Sequence, residues 1–213
     1  MIPLAFERLA KLKAPVAVVA HDAGAANHIS AWFGALKMSS VHGSFDGPAK
    51  DIFSRQCPWM TTAHFSELLP QCKKLISGTG WASAFEHEAR KLAKHVGSYS
   101  IAVIDHWTNY RARFVRDGEE ILPDEIWVTD EYAKRLAETE FPEIQVNQLQ
   151  NSYFERLVRE VREHEHGKTA TPEEKVLYVL EPIRQAWGSS GQSGEFQALD
   201  FFVKNLGALR LDG

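Results

Sequence analysis

The sequence predicts an α/β protein with a doubly wound, mostly parallel, Rossmann-like sheet flanked by helices. Short β-branched or apolar runs alternate along the chain with longer stretches of helical periodicity, which is the order of βαβ units. Five of the predicted strands lead directly into polar turns. The hydrophobic content of 44% and the charged content of 24% are those of a globular protein with a full core, so disorder is not expected.

The strands are predicted where apolar runs are short and bounded by polar residues. They lie at residues 16–20, 40–45, 74–77, 99–104 and 126–129. Helical spacing predicts helices at about residues 28–36, 81–95, 131–138 and 153–164, a short helix starting near Pro48, and one or two turns within 65–72. The runs at 16–20, 74–77, 99–104 and 126–129 are expected to be neighbours in one parallel sheet.

Residues 1–165 are expected to form this Rossmann-like N-terminal domain. Residues 166–175 are polar and include a glycine and a proline, as an interdomain linker does. Beyond them, residues 176–180 predict a buried strand and residues 195–206 an amphipathic helix. Because one strand and one helix cannot bury a core of their own, residues 176–213 are either a unit added to the first sheet or the first β-α unit of an incomplete second domain.

Composition excludes several classes of partner. A net charge of −4 and a pI near 6.1 give no electrostatic reason to expect a nucleic acid. No stretch approaches the roughly 18 apolar residues that a membrane span needs, and the first residues do not resemble a signal peptide, so a cytoplasmic protein is expected. Cys57 and Cys72 lie in no metal-binding spacing and predict two free core thiols; no metal site is expected.

Ligands of open parallel sheets bind at the carboxyl ends of the strands, where helix N-termini present unpaired N–H groups. Four polar loops follow predicted strands and should converge at that edge. They are His21-Asp22-Ala23-Gly24, Gly78-Thr79-Gly80, Asp105-His106 and Thr129-Asp130-Glu131. The sequence therefore predicts the site at this edge, with Asp22, Gly24, Gly78, Thr79 and Gly80 as ligand-binding residues.

The loop after the first strand has two possible functions. It contains a single glycine, Gly24, so it is not a dinucleotide-binding G-x-G-x-x-G loop and no NAD or FAD cofactor is expected. Gly24 either permits a tight turn or brings the backbone close to a ligand phosphate or sugar. His21 and Asp22 have the chemistry of a base and its orienter, but neighbours on an extended backbone point opposite ways, so no contact between them is expected.

In the loop Gly78-Thr79-Gly80, Thr79 either bonds a ligand hydroxyl or phosphate or caps a helix.

The segment from Asp105 to Phe114 concentrates chemistry directly after a buried strand. Its aromatic residues can stack on a sugar or a base, and Arg111 and Arg113 can bind a carboxylate or phosphate through two hydrogen bonds. His106 is the first choice for a general base because imidazole exchanges protons near neutral pH. The alternative is that Asp105 caps a turn and Arg113 forms a surface salt bridge.

The order of these motifs resembles N-terminal domains of GT-B-type proteins, namely bacterial surface-polysaccharide biosynthesis proteins and the UDP-N-acetylglucosamine 2-epimerase group. The resemblance covers about residues 15–160 and is carried by four segments: His21-Asp22-Ala23-Gly24, Gly78-Thr79-Gly80-Trp81, Asp105-His106-Trp107-Thr108-Asn109-Tyr110 and Leu122-Pro123-Asp124-Glu125-Ile126-Trp127-Val128. It implies an acceptor or sugar-binding half, with most nucleotide contacts in a C-terminal half. This chain stops short of a complete second domain, so a missing C-terminal domain is expected.

Together these observations predict sugar transfer or sugar-nucleotide processing in bacterial surface-polysaccharide biosynthesis, with this chain as the acceptor-side domain. A sugar or nucleotide-sugar is the expected small-molecule partner. The alternatives are a non-catalytic sugar-binding or assembly module and a UDP-sugar epimerase or hydrolase. The predicted catalytic residues are His106, Asp105 and His21, with Asn109, Arg111 and Arg113 added to the ligand-binding residues of the loops.

Overall fold

The structure is a computed structural model that describes residues 9, 12, 15–34, 36–81, 83–165, 176–180, 188–189 and 191–208. The chain divides into two compact units, Met1–His166 and Gly167–Gly213. None of the described helices combines the length and the apolar character needed to cross a membrane.

The first unit is built on one sheet of seven parallel strands. The strands are β1 (Val16–Ala20), β2 (Val41–Phe45), β3 (Thr61–Thr62), β4 (Lys74–Ser77), β5 (Tyr99–Val103), β8 (Glu125–Val128) and β9 (Gln145–Gln148). Two further strands, β6 (Val115–Arg116) and β7 (Glu119–Glu120), form a small antiparallel hairpin outside the sheet. The strand order is β3-β2-β1-β4-β5-β8-β9. The predicted fold class is confirmed, and the four predicted core strands β1, β4, β5 and β8 are neighbours in the sheet.

Helices connect these strands. They are α1 (Ala23–Gly34), α2 (Gly47–Gln56), α3 (Phe65–Leu68), α4 (Phe85–Val96), α5 (Glu131–Glu140) and α6 (Ser152–Glu165), with 3-10 turns at Leu69–Gln71 and Arg111–Phe114. From β1 the chain builds the sheet outward through β2 to β3, and it then returns to the other side of β1 to form β4. The order therefore reverses between β1 and β4, and ligands of such sheets bind in the crevice at that point.

The core explains why β1 lies at the centre. All five of its residues are buried, as in a strand that is covered on both faces. Val16 and Val18 pack in a cluster with Trp32 of α1, whereas Ala17 and Val19 belong to a cluster on the opposite face. The alternation follows from the two-residue period of a strand. Cys57 and Cys72 are buried free thiols, as expected.

Helix α1 begins five residues earlier than the sequence predicted. Ala23, Ala25 and Ala26 are strong helix formers, and the Ala26 N–H donates to the Asp22 carbonyl over 3.3 Å. Because His21, Asp22 and Asn27 are polar, the sequence predicted a turn in this segment and not the start of a helix. The strand β9 was not predicted, because Gln145–Gln148 is polar and has one buried residue, Asn147, so it lacks the apolar run of an inner strand.

The second unit does not contain the strand predicted at residues 176–180. These residues form no strand, and Leu177 and Val179 are 87% and 78% exposed. A strand needs a neighbour for its backbone N–H and C=O groups. The pairing observed here is instead a hairpin of β10 (Gly188–Ser189) and β11 (Gln192–Ser193), followed by α7 (Gly194–Lys204). The predicted linker, residues 166–175, lies outside the described residues.

His28 lies where α1 packs on α6. Its ring stacks on Trp32 at a centroid distance of 6.2 Å and meets Tyr153 edge-on at 5.7 Å. Its Nδ1 atom is buried without a hydrogen-bond partner among the described residues. Burial lowers the pKa of His28 below its ordinary value of 6.5, against the weaker opposing effect of the Asp105 and Asp130 carboxylates.

This lowered pKa predicts that stability falls in mild acid. When the pH drops below 6.5, the unfolded chain binds a proton at His28 that the folded chain does not take up, so the free energy of unfolding decreases. We expect His28→Phe, which keeps the ring contacts, to flatten the pH dependence between about pH 5 and 7 by up to about 1.4 kcal/mol per pH unit. Urea unfolding at several pH values measures the slope. The exposed change His95→Asn is the control, and equal slopes for His28→Phe and wild type would contradict the prediction.

Candidate functional site

The polar loops that follow β1, β4, β5 and β8 meet at the carboxyl edge of the sheet. They form a crevice that consists of residues 21–24, 78–81 and 105–107 together with Asp130. Contacts join its loops: the Trp81 N–H donates to Asp22 Oδ2 over 3.1 Å, and the Asp105 carboxylate lies against Gly24. Residues that are far apart in sequence are therefore brought to the β1–β4 reversal.

His21 and Asp22 form a hydrogen-bonded pair, with His21 Nδ1 and Asp22 Oδ1 2.6 Å apart. The expectation that they would not touch is wrong. Strand β1 ends at Ala20 and α1 begins at Ala23, so the two residues lie in a turn and not on an extended backbone. With the proton on Nδ1 facing the carboxylate, His21 Nε2 carries a lone pair, and no described residue hydrogen-bonds to it. This is the arrangement of a base with its orienting acid.

Glu86 fixes the backbone on both sides of the reversal. Its carboxylate accepts the His21 N–H over 2.9 Å and the Gly80 N–H over 2.5 Å, and the residue is 1% exposed. Burial raises the pKa of Glu86 above its ordinary value, while the two N–H donors and Arg90 act in the opposite direction. Sequence reasoning missed this residue because a glutamate in the first turn of a helix is ordinary there.

Arg90, one helical turn further along α4, forms hydrogen bonds to the end of β4 and to the loop that follows it. Its guanidinium donates to the Gly78 carbonyl over 2.7 Å and to the Ser77 hydroxyl over 3.2 Å. Burial lowers the pKa of Arg90 to about 10, so it remains a cation at neutral pH. A buried guanidinium and a buried carboxylate thus fix the same loop.

Three glycines of the crevice loops lie in close contact with carboxylates of the protein itself. A Cβ atom on Gly24 would overlap the Asp105 carboxylate, and one on Gly80 would overlap the Asp22 carboxylate. Gly78 is likewise covered by the Glu86 carboxylate. The close approach that glycine permits at these positions is made here by acidic side chains, and ligand contacts of the same glycines stay a prediction. Asp105 lies beside the first turn of α1, where its charge would repel a phosphate.

The two arginines of the segment 105–114 bind protein groups. The Arg113 side chain is 5% exposed and donates to the Thr108 and Thr79 carbonyls over 3.1 and 3.2 Å and, more weakly, to Asp105 over 3.5 Å. It therefore positions the crevice loops. Arg111 lies in an exposed ion pair with Glu120 of the β6–β7 hairpin at 2.8 Å, and its ligand contact stays a prediction.

Thr79 and Asn109 both form hydrogen bonds within the protein. The Thr79 side chain is fully buried and its hydroxyl donates to the Val103 carbonyl over 3.0 Å, so it neither caps a helix nor faces a ligand. Asn109 adopts a left-handed backbone with φ of 59°, which asparagine tolerates, and its carbonyl accepts the Arg113 N–H. A ligand contact of its exposed side chain stays a prediction.

His106 is exposed and lacks the orienting acid that His21 has. Its Nδ1 accepts the Trp107 N–H over 2.9 Å and bonds the Thr108 hydroxyl at 3.1 Å. The neighbouring Asp105 carboxylate instead faces Arg113 and Gly24. The Asp105 and His106 side chains share no described contact, whereas His21 pairs with Asp22.

Two indoles stand at the rim of the crevice. Trp81 is 49% exposed and Trp107 is 58% exposed. The Arg113 guanidinium lies over the Trp81 ring at 5.6 Å, and the Trp107 Nε1–H donates to Asp130 over 3.0 Å. Asp130 also caps α5, accepting the Ala133 N–H over 2.8 Å. Each indole is thus held in place with much of its surface open.

Comparison of the chain with protein-family models, with curated proteins and with solved structures finds no match. Among the described residues, no group of three or more His, Cys, Asp and Glu side chains is placed to bind a metal ion.

The overlap at Gly24 predicts a reversal of the usual effect of alanine. Gly→Ala within a helix ordinarily stabilises by about 0.5–1 kcal/mol, but Gly24→Ala should destabilise because its Cβ displaces the Asp105 carboxylate. In an Asp105→Ala background the space is free, and the same change should become neutral or stabilising. Urea unfolding of the four proteins gives the coupling energy, expected to be at least about 1 kcal/mol. Additive effects would show that the contact is not made.

Proposed function

We propose that the crevice binds a neutral sugar and that His21, oriented by Asp22, deprotonates one of its hydroxyl groups. In this role the chain supplies the acceptor-side domain for sugar transfer or sugar-nucleotide processing, as in bacterial surface-polysaccharide biosynthesis. The observation that carries the proposal is the 2.6 Å His21–Asp22 pair at the point where the strand order reverses.

The surroundings of the pair suit a polyhydroxylated ligand. Asp22, Asp105 and Asp130 offer carboxylate oxygens that accept hydrogen bonds from hydroxyl groups. The exposed rings of Trp81 and Trp107 offer apolar faces for the C–H side of a sugar ring. Acceptors beside aromatic faces are the complement of a sugar, which presents hydroxyls at its edge and carbon on its face.

The charges favour an acceptor over a nucleotide-sugar donor in this crevice. Asp105 lies against the N-terminus of α1, and Glu86 accepts the His21 and Gly80 N–H groups. A phosphate placed there would lie beside these acidic side chains, and like charges repel. A donor diphosphate would therefore have to bind elsewhere, which fits an acceptor-side domain.

His21 is assigned as base because its Nε2 forms no hydrogen bond to a described residue and its Nδ1 faces the Asp22 carboxylate. A base must reach the proton it removes and be held in the tautomer that leaves the reacting nitrogen unprotonated. The Asp22 carboxylate provides that restraint at Nδ1. His106 differs from His21, because its Nδ1 accepts a hydrogen bond and therefore does not carry the ring proton.

A non-catalytic sugar-binding module is the second candidate. It is favoured by the same occupied anion positions, because a domain that binds only an acceptor performs no transfer unless a donor is brought to it. The two candidates share the sugar contacts and differ in whether His21 affects turnover or affinity.

Both candidates predict that monosaccharides bind and that UDP does not, as measured by calorimetry on the full chain. Trp107→Ala should weaken sugar binding up to about 10-fold through loss of ring contact. Binding of UDP in place of sugars would contradict both.

The catalytic proposal predicts that His21→Gln lowers turnover about 10²- to 10⁴-fold while sugar affinity changes little. The measurement is nucleotide release from UDP-, GDP- and CMP-sugars with the bound monosaccharide as acceptor. His106→Gln is the matched control and should retain turnover. Loss of turnover in His106→Gln alone would move the base to His106, whereas unchanged turnover in His21→Gln would contradict the catalytic proposal and leave the sugar-binding module as the function.

A further inference from the structure

A cavity of about 860 Å³ opens at the carboxyl ends of β2 and β3, beside the crevice. It lies between α2, the loop after β3 and the start of α4. Its walls include Ser44, Phe45, Asp46, Phe53, Met60 and Phe85. The volume is within the range of small-molecule sites, roughly 300–1,000 Å³.

The interior of the cavity is mainly apolar and partly flat. Phe45 and Phe53 stack with a centroid distance of 3.8 Å and an interplanar angle of 10°, and Met60 and Phe85 add apolar wall. Such walls favour a planar or aliphatic group over a free sugar, whose hydroxyls would lose water without gaining partners.

The mouth of the cavity is polar but carries balanced charge. Asp46 and Lys50 form an ion pair at 2.7 Å, and the Lys50 hydrogen bond is the main reason that the pKa of Asp46 is lowered. The Ser44 side chain also lines the cavity. A paired carboxylate and ammonium can bond hydroxyl groups without selecting an anion.

The mouth adjoins the proposed base. The Ala49 N–H of α2 donates to the His21 carbonyl over 3.0 Å, and the Asp46 N–H donates to the Ala20 carbonyl over 3.1 Å. A Cβ atom on Gly47 would lie 2.7 Å from His21 Nε2, so the imidazole rests against the start of α2. The start of α2 thus borders both the cavity and the imidazole, so the cavity and the crevice are adjacent.

We propose that the cavity binds the apolar aglycone of a neutral glycoside whose sugar ring lies in the crevice. This inference rests on the proposed function and names the class of acceptor: a sugar that already carries a planar or aliphatic group. Two sources have this chemistry, an aryl or alkyl glycoside and a nucleoside.

Calorimetry on the full chain separates the aglycone from the sugar. Methyl and 4-nitrophenyl glycosides of glucose, galactose, mannose and N-acetylglucosamine are compared in pairs, and uridine and adenosine are compared with methyl riboside. We expect the aryl member of the binding sugar, or a nucleoside, to bind at least 10-fold more tightly than its methyl partner. The pair of ligands in which the larger aglycone binds more tightly shows whether the natural ligand is a glycoside or a nucleoside.

The position of the aglycone is tested by filling the cavity. Ser54 lines the cavity from the exposed side of α2, so Ser54→Trp should abolish the aryl gain and leave methyl glycoside binding unchanged. Arg55→Trp, the next residue of the same helix and outside the lining, is the control and should keep the gain. Thr62→Trp fills the cavity from β3 and serves if Ser54→Trp does not fold.

The outcomes distinguish this inference from the proposed function. Methyl glycosides that bind as well as their aryl partners would overturn the aglycone site while the sugar crevice stands. A gain that survives both filling variants, or one that Arg55→Trp also abolishes, would likewise overturn it. If no glycoside or nucleoside binds, both proposals fail.

Discussion

The crevice depends on one buried carboxylate, that of Glu86. It accepts backbone N–H groups from the loops after β1 and β4, so a single side chain sets the separation of the two loops where the strand order reverses. Arg90, on the next turn of the same helix, holds the second loop through the Gly78 carbonyl. A buried charge is tolerated only when it is hydrogen-bonded and compensated. The N–H donors and the nearby guanidinium meet that condition, and they fix His21 against its partner.

The carboxylates also decide what the crevice can bind. In many parallel α/β proteins, free N–H groups at this edge receive phosphates. Here Asp105, Asp22 and Glu86 lie against the backbone at Gly24, Gly80 and Gly78, so acidic side chains already line those positions. The groups that remain partly exposed are the Asp22 and Asp105 side chains, the His21 imidazole and two indole faces. This distribution matches a neutral, hydroxylated ligand, and the balanced Asp46–Lys50 pair extends the same preference to the adjoining cavity.

The sequence predicted the sheet better than the site. Apolar runs identify β1, β4, β5 and β8 because inner parallel strands are buried on both faces, and topology then brings their loops together. The polar strand β9 and the exposed residues 176–180 show the limit of that signal, since pairing depends on neighbours that a local pattern does not contain. In the site, the early start of α1 created the His21–Asp22 contact. Glu86 was not predicted because its contacts are made only through tertiary structure.

The tight packing of acid on glycine has a consequence for how this chain can change by mutation. Positions 78 and 86, and positions 80 and 22, are not independent, because any side chain on the glycine overlaps the carboxylate opposite. A larger residue at position 80 becomes acceptable only after Asp22 has been shortened, and shortening Asp22 removes the partner of His21. The route by which this loop could acquire a new side chain therefore passes through loss of the residue that orients the base. In an alignment of relatives, these pairs should change together or remain as they are.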